Sequence, residues 1–188
     1  MVNETSLRTP RLRLRPWQSG DRAPFAALNA DPLVTACLPG QLSRAESDAL
    51  VDRIQAHFED HGFGLWAVER LEGAPFIGFV GLSIPRFKAP FTPCVEIGWR
   101  LAADYWGQGY ASEGARAALN FGFKTLKLNE IVSFTVPHNH RSRRVMEKIG
   151  LVRDPTGDFE HPLLPLGHPL QAHVLYRLKR NDWSANSL

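Results

Sequence analysis

Val95-Glu-Ile-Gly-Trp-Arg-Leu101 and Tyr105-Trp-Gly107-Gln-Gly109-Tyr-Ala-Ser-Glu113 are the two stretches that decide the fold. In the first, apolar residues alternate with polar or small ones, which predicts a strand. After the second, small and apolar residues recur at helical spacing and predict a long amphipathic helix; they are Ala111, Ala115, Ala118, Leu119, Gly122 and Leu126. Between strand and helix, successive backbone N–H groups and the helix dipole favour an anion. Phosphate is the predicted ligand, although an ordinary glycine turn before a helix has the same pattern.

A second motif follows the next predicted strand, which spans 129–136. It reads Val136-Pro-His-Asn139-His-Arg-Ser142-Arg-Arg-Val-Met-Glu147-Lys148-Ile-Gly150-Leu151. A helix is predicted over 141–149, because apolar residues face one side and Gly150 is a favourable stop. Its inward-facing residues are Val145, Met146 and Ile149.

Shorter patterns predict the remaining elements. In the first third of the chain they are a strand over Arg11–Arg15, a helix from Asp21 to Asn29 that stops at Asp31-Pro32, and a helix from Ser43 to His61-Gly62. Two strands follow over 63–70 and 76–85, around the turn Glu72-Gly73-Ala74-Pro75. The last strands run from Leu151 onward and over Ala172–Leu178, with a hairpin loop at 161–169. Asp21 is the expected N-cap of the first helix, and Ser43 with Glu46 forms a capping box at the second. The predicted order is therefore β-α-α-β-β-β-α-β-α-β-β.

The composition indicates a packed globular protein. The 188 residues are 44% hydrophobic and 22% charged, and the net charge of +3 is too mild to argue for nucleic-acid binding. Cys37 and Cys94 have no paired spacing and are expected to be reduced. Neither a leader in Met1–Pro10 nor an apolar run long enough to span a membrane is expected, so the predicted location is cytoplasmic.

Together the two motifs resemble those of a known family. The chain resembles the GNAT acetyltransferases, and most of all the branch of the ribosomal-protein N-terminal (serine/alanine) acetyltransferases. The resemblance lies in the order of elements and motifs: strand, Tyr-Trp-Gly-x-Gly-Tyr-Ala-x-Glu, helix, strand, Asn-x-x-Ser-x-x-x-x-Glu-Lys-x-Gly-Leu. The opening Thr9-Pro-Arg-Leu-Arg-Leu-Arg15 also resembles that branch. The resemblance covers residues 9–180 and implies a single GNAT-like α+β domain over 1–188. Its mixed, mostly antiparallel sheet would be flanked by helices and would splay apart near 95–101.

The resemblance also implies which residues bind acetyl-coenzyme A. Backbone amides would hold the pyrophosphate at Gly107, Gln108, Gly109, Tyr110, Ala111 and Ser112. Main-chain groups would pair with the pantetheine arm at Trp99, Arg100 and Leu101, and Asn139 and Ser142 would flank the thioester. Basic side chains offer partners for the nucleotide phosphate at Arg141, Arg143 and Arg144. Two positions depart from the family pattern: Trp106 replaces a frequent Arg or Gln, and Met146 stands where relatives have a proton-donating tyrosine.

Acetyl transfer to an amine needs a base, an amide donor and an acid at the leaving thiolate. Glu96 is the candidate base, acting through water, and an ion pair with Arg100 is the alternative explanation of that residue. Ser142 is the candidate proton donor, although a serine in a first helical turn is as often a cap. Asn139 completes the expected catalytic set.

The histidines and large aromatics allow two interpretations. His138 and His140 have a His-x-His spacing, but no carboxylate or cysteine lies at ligand spacing, so no metal is expected. Three histidines in or next to the hairpin loop at 161–169 could shape the acceptor pocket or be solvated: His161, His168 and His173. Three aromatics could line the acceptor entrance or belong to the core: Trp66, Trp99 and Phe79.

The sequence therefore predicts an N-acetyltransferase that uses acetyl-coenzyme A and transfers its acetyl group to a primary amine by direct attack in a ternary complex. The acceptor could be a protein N-terminus, an amino-acid derivative, a polyamine or an aminoglycoside, and the absence of an acidic cluster disfavours the last two. A non-catalytic acyl-coenzyme A-binding or regulatory module is the alternative. No nucleic-acid or membrane partner is expected, and the protein is expected to be a monomer or a homodimer.

Overall fold

A computed structural model describes residues 6–73 and 75–183 and contains an eight-stranded sheet in the order β1-β2-β3-β4-β5-β6-β8-β7. The strands are β1 Leu7–Arg8, β2 Leu12–Arg15, β3 Leu65–Arg70, β4 Gly78–Ser83, β5 Glu96–Leu101, β6 Glu130–Thr135, β7 Val152–Glu160 and β8 Ala172–Lys179. The helices are α1 Arg22–Ala30, α2 Pro32–Thr35, α3 Arg44–His61, α4 Tyr110–Lys124 and α5 His140–Lys148. Parts of three predictions lie outside the described residues: Ala74 of the turn, residues 1–5 of the N-terminal segment, and the ends of the 1–188 domain.

The sheet opens between its two central strands. All neighbouring strands are antiparallel except β5 and β6, which are parallel and pair only where Glu96 faces Val132. Val132 N–H donates to the Val95 carbonyl at 2.9 Å, and Ser133 Oγ donates to the Ile97 carbonyl at 2.8 Å. Beyond this point β5 and β6 have no paired residues. The predicted mixed, mostly antiparallel and splayed α+β sheet is confirmed.

Helices cover both faces of the sheet. α4 lies close to β4 because Gly114 has no side chain, and a Cβ there would lie 3.3 Å from Val80 Cγ2. α1 covers the opposite face, where the ring of Phe25 lies 6.0 Å from that of Phe79. The same helix reaches β5 through a hydrogen bond between Asn29 and Arg100. The end of β5, at residues 99–101, is therefore approached by helices on both faces of the sheet.

The predicted element order omitted two short elements. β1 pairs with β2 through Leu7 and Leu14, but two residues are too few to give an alternating pattern. α2 begins where α1 was expected to stop: Asp31 ends α1 and also accepts a hydrogen bond from Leu33 N–H at 2.8 Å as the N-cap of α2. Proline is favourable in the first turn of a helix, so Pro32 both interrupts and restarts the helix.

Asp21 occupies the expected N-cap position of α1, but the capping hydrogen bond predicted for its side chain is not formed. Asp21 is nearly inaccessible to solvent and makes no side-chain cap to α1. Its carboxylate accepts from Arg15 Nη1 at 2.7 Å and from Arg15 Nη2 at 2.8 Å, and it also accepts from Gln18 N–H. A buried ion pair satisfies this carboxylate more fully than a helix end could, and residue types alone do not show that Arg15, six residues earlier, folds back onto Asp21.

Other local predictions are confirmed. Ser43 and Glu46 form the capping box of α3, and Gly62 ends that helix with φ 73°. Gly150, with φ 94°, follows α5, while Met146 and Ile149 are buried in the core. No helix among the residues that the structure describes is both long and apolar enough to cross a membrane.

Candidate active site

One cleft of about 510 Å³ collects residues from four parts of the chain. It is lined by the segment around α2 (Leu33, Val34, Ala36, Cys37, Leu38), by the end of β5 (Trp99, Arg100, Leu101), by the glycine loop and the start of α4 (Tyr105, Trp106, Gly107, Gly109, Tyr110, Ala111, Ser112), and by α5 and its cap (Asn139, Arg141, Ser142, Arg144, Val145, Lys148). The two sequence motifs therefore meet across one cavity.

The glycine loop, residues 105–109, presents backbone donors to the cleft. Gly107 and Gly109 have φ of 74° and 85°, a region that residues with a side chain rarely adopt. The first internal hydrogen bond of α4 runs from Glu113 N–H to the Gly109 carbonyl. The N–H groups of the first turn have no partner within the helix, and they lie at the positive end of its dipole. This arrangement can bind an anion such as a diphosphate.

A brace from the N-terminal strands supports this loop. Arg11 donates from Nε to Glu113 Oε2 at 2.6 Å and from Nη1 to the Gln108 carbonyl at 3.1 Å. Thr9 Oγ1 donates to Glu113 Oε1 at 2.6 Å. Burial opposes ionisation of Glu113, but the hydrogen bonds from Thr9 and Arg11 outweigh it and lower the pKa of this carboxyl. The charged form of Glu113 therefore fixes the loop to the edge of the sheet.

Gln108 is held differently from its neighbours. Its side chain donates to the Asp104 carbonyl at 2.8 Å, and it is not among the residues that line the cleft. Because the Gln108 carbonyl accepts a hydrogen bond from Arg11, Gln108 contributes to the shape of the loop. Its binding role remains a prediction.

Asn139 and Ser142 line the cleft together at the start of α5. Asn139 Oδ1 accepts from Ser142 N–H at 3.2 Å, and its amide nitrogen donates to Thr135 Oγ1 at 3.0 Å. The Asn139 side chain is therefore the N-cap that fixes the first turn of α5 and the place of Ser142 in the cleft wall. Met146 is buried in the core and does not line the cleft, so no proton donor stands at that position.

Glu96 begins β5 on the face that also carries Arg100. Its Oε1 lies over Gly98, 3.9 Å from the position that a Cβ on this glycine would occupy. The residue keeps some accessible surface, but surrounding protein removes enough hydration that burial raises the pKa of Glu96 to about 8. Glu96 is not among the cleft-lining residues, so a proton would have to reach it through water.

The alternative ion pair between Glu96 and Arg100 is not found in the part of the chain that the structure describes. Four residues separate them along an extended strand, about 13 Å. Arg100 Nη1 instead donates to Asn29 Oδ1 at 2.6 Å, and its guanidinium lies 5.5 Å from the ring centre of Phe79. Burial without a carboxylate partner lowers the pKa of Arg100 to about 10.

Basic side chains occupy the α5 wall of the cleft. Arg141 stacks over the ring of Trp106 at 4.6 Å, and Arg144 and Lys148 line the same wall. Arg143 points elsewhere, since it donates to Tyr176 Oη at 3.1 Å and to the Pro137 carbonyl at 2.9 Å. Two of the three arginines named from the sequence therefore face the cleft.

The remaining candidates divide between core and surface. Trp66 and Phe79 are buried in the core, while Trp99 lines the cleft. His161 and His173 pack against each other, with ring centres 5.0 Å apart, beside an aromatic group made of Phe87, Phe91, Phe134 and Phe159. Burial lowers the pKa of both histidines, which favours their neutral form. His168 is held within its own loop, where its Nδ1 accepts a hydrogen bond from Leu170 N–H at 3.1 Å.

Sequence reasoning missed one wall of the cleft. The segment that follows α1, from Leu33 to Leu38, is short and carries no motif. It includes Cys37, whose thiol pKa is raised by burial, with a smaller opposite effect of Arg141. The apolar pair Leu33-Val34 directly after Pro32 was the available signal, because a solvated turn has no need of large apolar side chains.

Comparison with known proteins agrees with this geometry. The family model described as "Acetyltransferase (GNAT) domain" matches residues 11–152. The chain is 34% identical over 152 residues to the uncharacterized protein YkkB of Bacillus subtilis, covering 80% of this chain and 87% of that protein. It is 32% identical over 191 residues to the FsC-acetyl coenzyme A-N(2)-transacetylase of Aspergillus fumigatus, covering 96% and 78%. A solved GNAT-family acetyltransferase from Bacillus anthracis superposes with a TM-score of 0.77 at 26% identity, covering 94% and 99%.

Proposed function

Because this chain belongs to the GNAT acetyltransferase family and is an acyltransferase, we propose that its cleft binds acetyl-coenzyme A and passes the acetyl group to a primary amine. The observation that carries the proposal is the continuity of one cleft from the glycine loop to the end of β5, where the sheet opens. A diphosphate at one end and a thioester at the other would fit this length.

The residues present fit that coenzyme. The amides from Gly107 to Ser112 would hold the diphosphate, and the main chain of β5 at 99–101 would pair with the pantetheine arm. Arg141 and Arg144 would face the nucleotide phosphate. The fit depends on backbone exposure: a side chain at Gly109 would need φ 85° and would lie 3.4 Å from Arg11 Nη2.

When bound, the coenzyme supplies an acetyl thioester whose carbon–sulfur bond breaks as the new carbon–nitrogen bond forms. Glu96 would take the proton of the attacking amine through water, because the raised pKa gives its carboxylate the basicity that this step needs. The Ser142 hydroxyl would pass its proton to the departing thiolate and regain one from water, and Asn139 would hold Ser142 in place by capping α5.

Direct transfer in a ternary complex is favoured over an acyl-enzyme. Cys37 is the cysteine that lines the cleft, and burial raises its pKa. Since the thiolate is the nucleophilic form, a protonated Cys37 is a poor candidate for a covalent intermediate.

A small-molecule amine is the preferred acceptor class. The Aspergillus fumigatus relative is named for transfer to an N(2) nitrogen and aligns with nearly the whole of this chain. This supports a small amine over a protein N-terminus. The cleft wall at Leu33–Leu38 is apolar rather than acidic, which also argues against a polycationic acceptor. We further propose a cytoplasmic monomer or homodimer of one domain.

The experiment compares two glycines that both have positive φ. Gly109→Val imposes a strained φ on the glycine loop and sets a side chain against Arg11, whereas Gly62→Val creates similar backbone strain at the end of α3, away from the cleft. Calorimetric titration with acetyl-coenzyme A should show an affinity loss of about tenfold or more for Gly109→Val alone, the equivalent of about 1.4 kcal/mol. Equal affinities in the two variants would exclude the glycine loop as the diphosphate-binding site. Tight coenzyme binding without thiol release over a broad amine library would instead favour the non-catalytic module.

A further inference from the structure

Arg100, which is half-buried, differs from the buried Arg15 in its partners. Arg15 is held by two carboxylates, with Asp21 Oδ2 at 2.7 Å from Nη1 and Glu69 Oε2 at 2.7 Å from Nε. Arg100 forms no ion pair within the part of the chain that the structure describes, and it donates a hydrogen bond to the neutral amide oxygen of Asn29. A guanidinium that is desolvated without a carboxylate carries a free-energy cost, and an anionic partner that arrives from outside the protein would offset it.

The guanidinium of Arg100 is held in position before any ligand binds. Asn29 is fully buried; its Oδ1 accepts from Arg100 Nη1 at 2.6 Å and its Nδ2 donates to Ser47 Oγ at 2.9 Å. Ser47 is also fully buried, so α1 and α3 together fix one edge of the guanidinium. The ring of Phe79 supports it from β4. Because guanidinium is a planar group with five donors, fixing one edge leaves the other donors oriented for an incoming acceptor.

The position of Arg100 assigns that acceptor to the amine substrate rather than to the coenzyme. Arg100 lines the cleft from the face covered by α1, together with the segment Leu33–Leu38. The glycine loop approaches the cleft from α4, which packs on the opposite face of the sheet. The proposed coenzyme contacts at 99–101 use main-chain atoms, so the coenzyme would not engage the Arg100 side chain.

We propose that Arg100 binds a carboxylate of the acceptor, so that the substrate of this enzyme is a free amino acid or an amino-acid derivative that keeps its carboxylate. This inference rests on the proposed function and narrows it to one acceptor class. A planar carboxylate matches the guanidinium fork and can accept two parallel hydrogen bonds. Such a contact would hold the amine at a fixed distance from Arg100 and aim it at the thioester end of the cleft.

The test uses matched pairs of acceptors at saturating acetyl-coenzyme A. Free α-amino acids are compared with their α-carboxamides, which have the same shape and amine but no negative charge. The wild-type protein should acetylate the acids with kcat/KM about 10- to 100-fold above the amides, the range expected for a charged hydrogen-bonded contact. Arg100→Met should reduce that ratio to near one, with the Kd for acetyl-coenzyme A changed by less than about twofold.

Asn29→Asp provides a second variant that keeps the shape of the site. An aspartate there would pair with Arg100 from within the protein, and we expect it to lower the acid-to-amide ratio by about tenfold or more. Arg144→Met is the control, because Arg144 lines the same cleft on the α5 wall. This variant should weaken coenzyme binding and leave the acid-to-amide ratio unchanged.

Three outcomes would overturn the assignment. Equal use of acids and amides by the wild-type protein would show that no carboxylate is recognised. An unchanged ratio in both Arg100→Met and Asn29→Asp would show that another group recognises it. Turnover of peptides with a free N-terminus, but of neither amino acids nor their amides, would also refute it while leaving the proposed acetyltransferase function intact; absence of turnover with every amine would refute both.

Discussion

Arg11 Nη2 lies 2.6 Å from the carboxylate of Glu113, across 102 positions of sequence. This pair joins the turn between β1 and β2 to the first turn of α4. Arg11 also lies over the ring of Tyr110, 4.5 Å from its centre, and donates to the Gln108 carbonyl. The glycine loop is therefore supported by a residue that is not itself part of the cleft lining.

Removing this brace should loosen coenzyme binding. We expect Arg11→Met to weaken acetyl-coenzyme A binding by about three- to tenfold, a modest loss because the Arg11 side chain is 48% exposed and solvent screens its charge. Calorimetric titration measures the change. Arg44→Met is the matched control, since Arg44 pairs with Asp48 on α3, away from the cleft. Equal affinities in the two variants would show that the loop keeps its shape without Arg11.

Activity should depend on pH through Glu96. A general base works in its deprotonated form, and the pKa of about 8 leaves most of the Glu96 population protonated at pH 7. We therefore expect kcat/KM to rise about tenfold per pH unit below pH 8 and to level off above it. Glu96→Gln should lower kcat and remove this inflection while sparing coenzyme affinity. The same inflection in Glu96→Gln would assign it to the amine substrate instead.

Cys37 should be dispensable for the chemistry. We expect Cys37→Ser to keep kcat/KM within about tenfold of the wild-type value, because the direct mechanism uses no enzyme nucleophile. Loss of a covalent nucleophile would instead lower kcat by several orders of magnitude. Steady-state assays of thiol release distinguish the two, and mass spectrometry after mixing with acetyl-coenzyme A alone would detect an acetylated cysteine if direct transfer were wrong.

The Arg15–Asp21 pair should be a large contributor to stability. Arg15 and Asp21 are each nearly inaccessible, and the hydrogen bond to Asp21 raises the pKa of Arg15. Arg15→Met would leave the Asp21 carboxylate buried without its partner, which costs about 3–5 kcal/mol of unfolding free energy. Arg13→Met, an exposed position two residues away on the same strand, should change it by less than about 0.5 kcal/mol. Urea denaturation followed by circular dichroism gives both values.

Stability should fall at mildly acidic pH through His57. Its Nε2 accepts from Ile84 N–H at 3.0 Å, so Nδ1 must be the nitrogen that donates to the Phe63 carbonyl, and the ring is neutral. Burial lowers the pKa of His57 below 6.5, with the Phe63 hydrogen bond opposing it. The folded state therefore binds fewer protons than the unfolded state below pH 6.5, and stability is lost as pH falls from there through the folded-state pKa.

Denaturation curves between pH 7.5 and 5 measure this effect. One such histidine changes the unfolding free energy by at most about 1.4 kcal/mol per pH unit. His161 and His173 have pKa values lowered in the same direction, so His57→Phe should reduce the slope rather than abolish it. A slope identical to that of the wild-type protein would exclude His57 as a contributor.

Local sequence signals predicted the glycine loop and the ends of two helices. The glycine loop, the capping box of α3 and the stop at Gly150 each depend on a few adjacent residues, and the structure has all three. Asp21 shows the limit of such signals. Its residue type favours an N-cap, yet Arg15 claims its carboxylate, because a buried charge pair outweighs one capping hydrogen bond.

By itself, the sequence determined the family, the order of the main elements and the loop that would hold a diphosphate. These follow from periodicity and from conformations that glycine alone adopts easily, and both are properties of short segments. The tertiary structure alone decided that Leu33–Leu38 lines the cleft, that Glu96 and Arg100 do not pair, and that Asn29 fixes a guanidinium that no carboxylate of residues 6–73 or 75–183 neutralises. Charge pairing and desolvation depend on which distant groups fill the space around a side chain, and packing sets that only when the chain has folded.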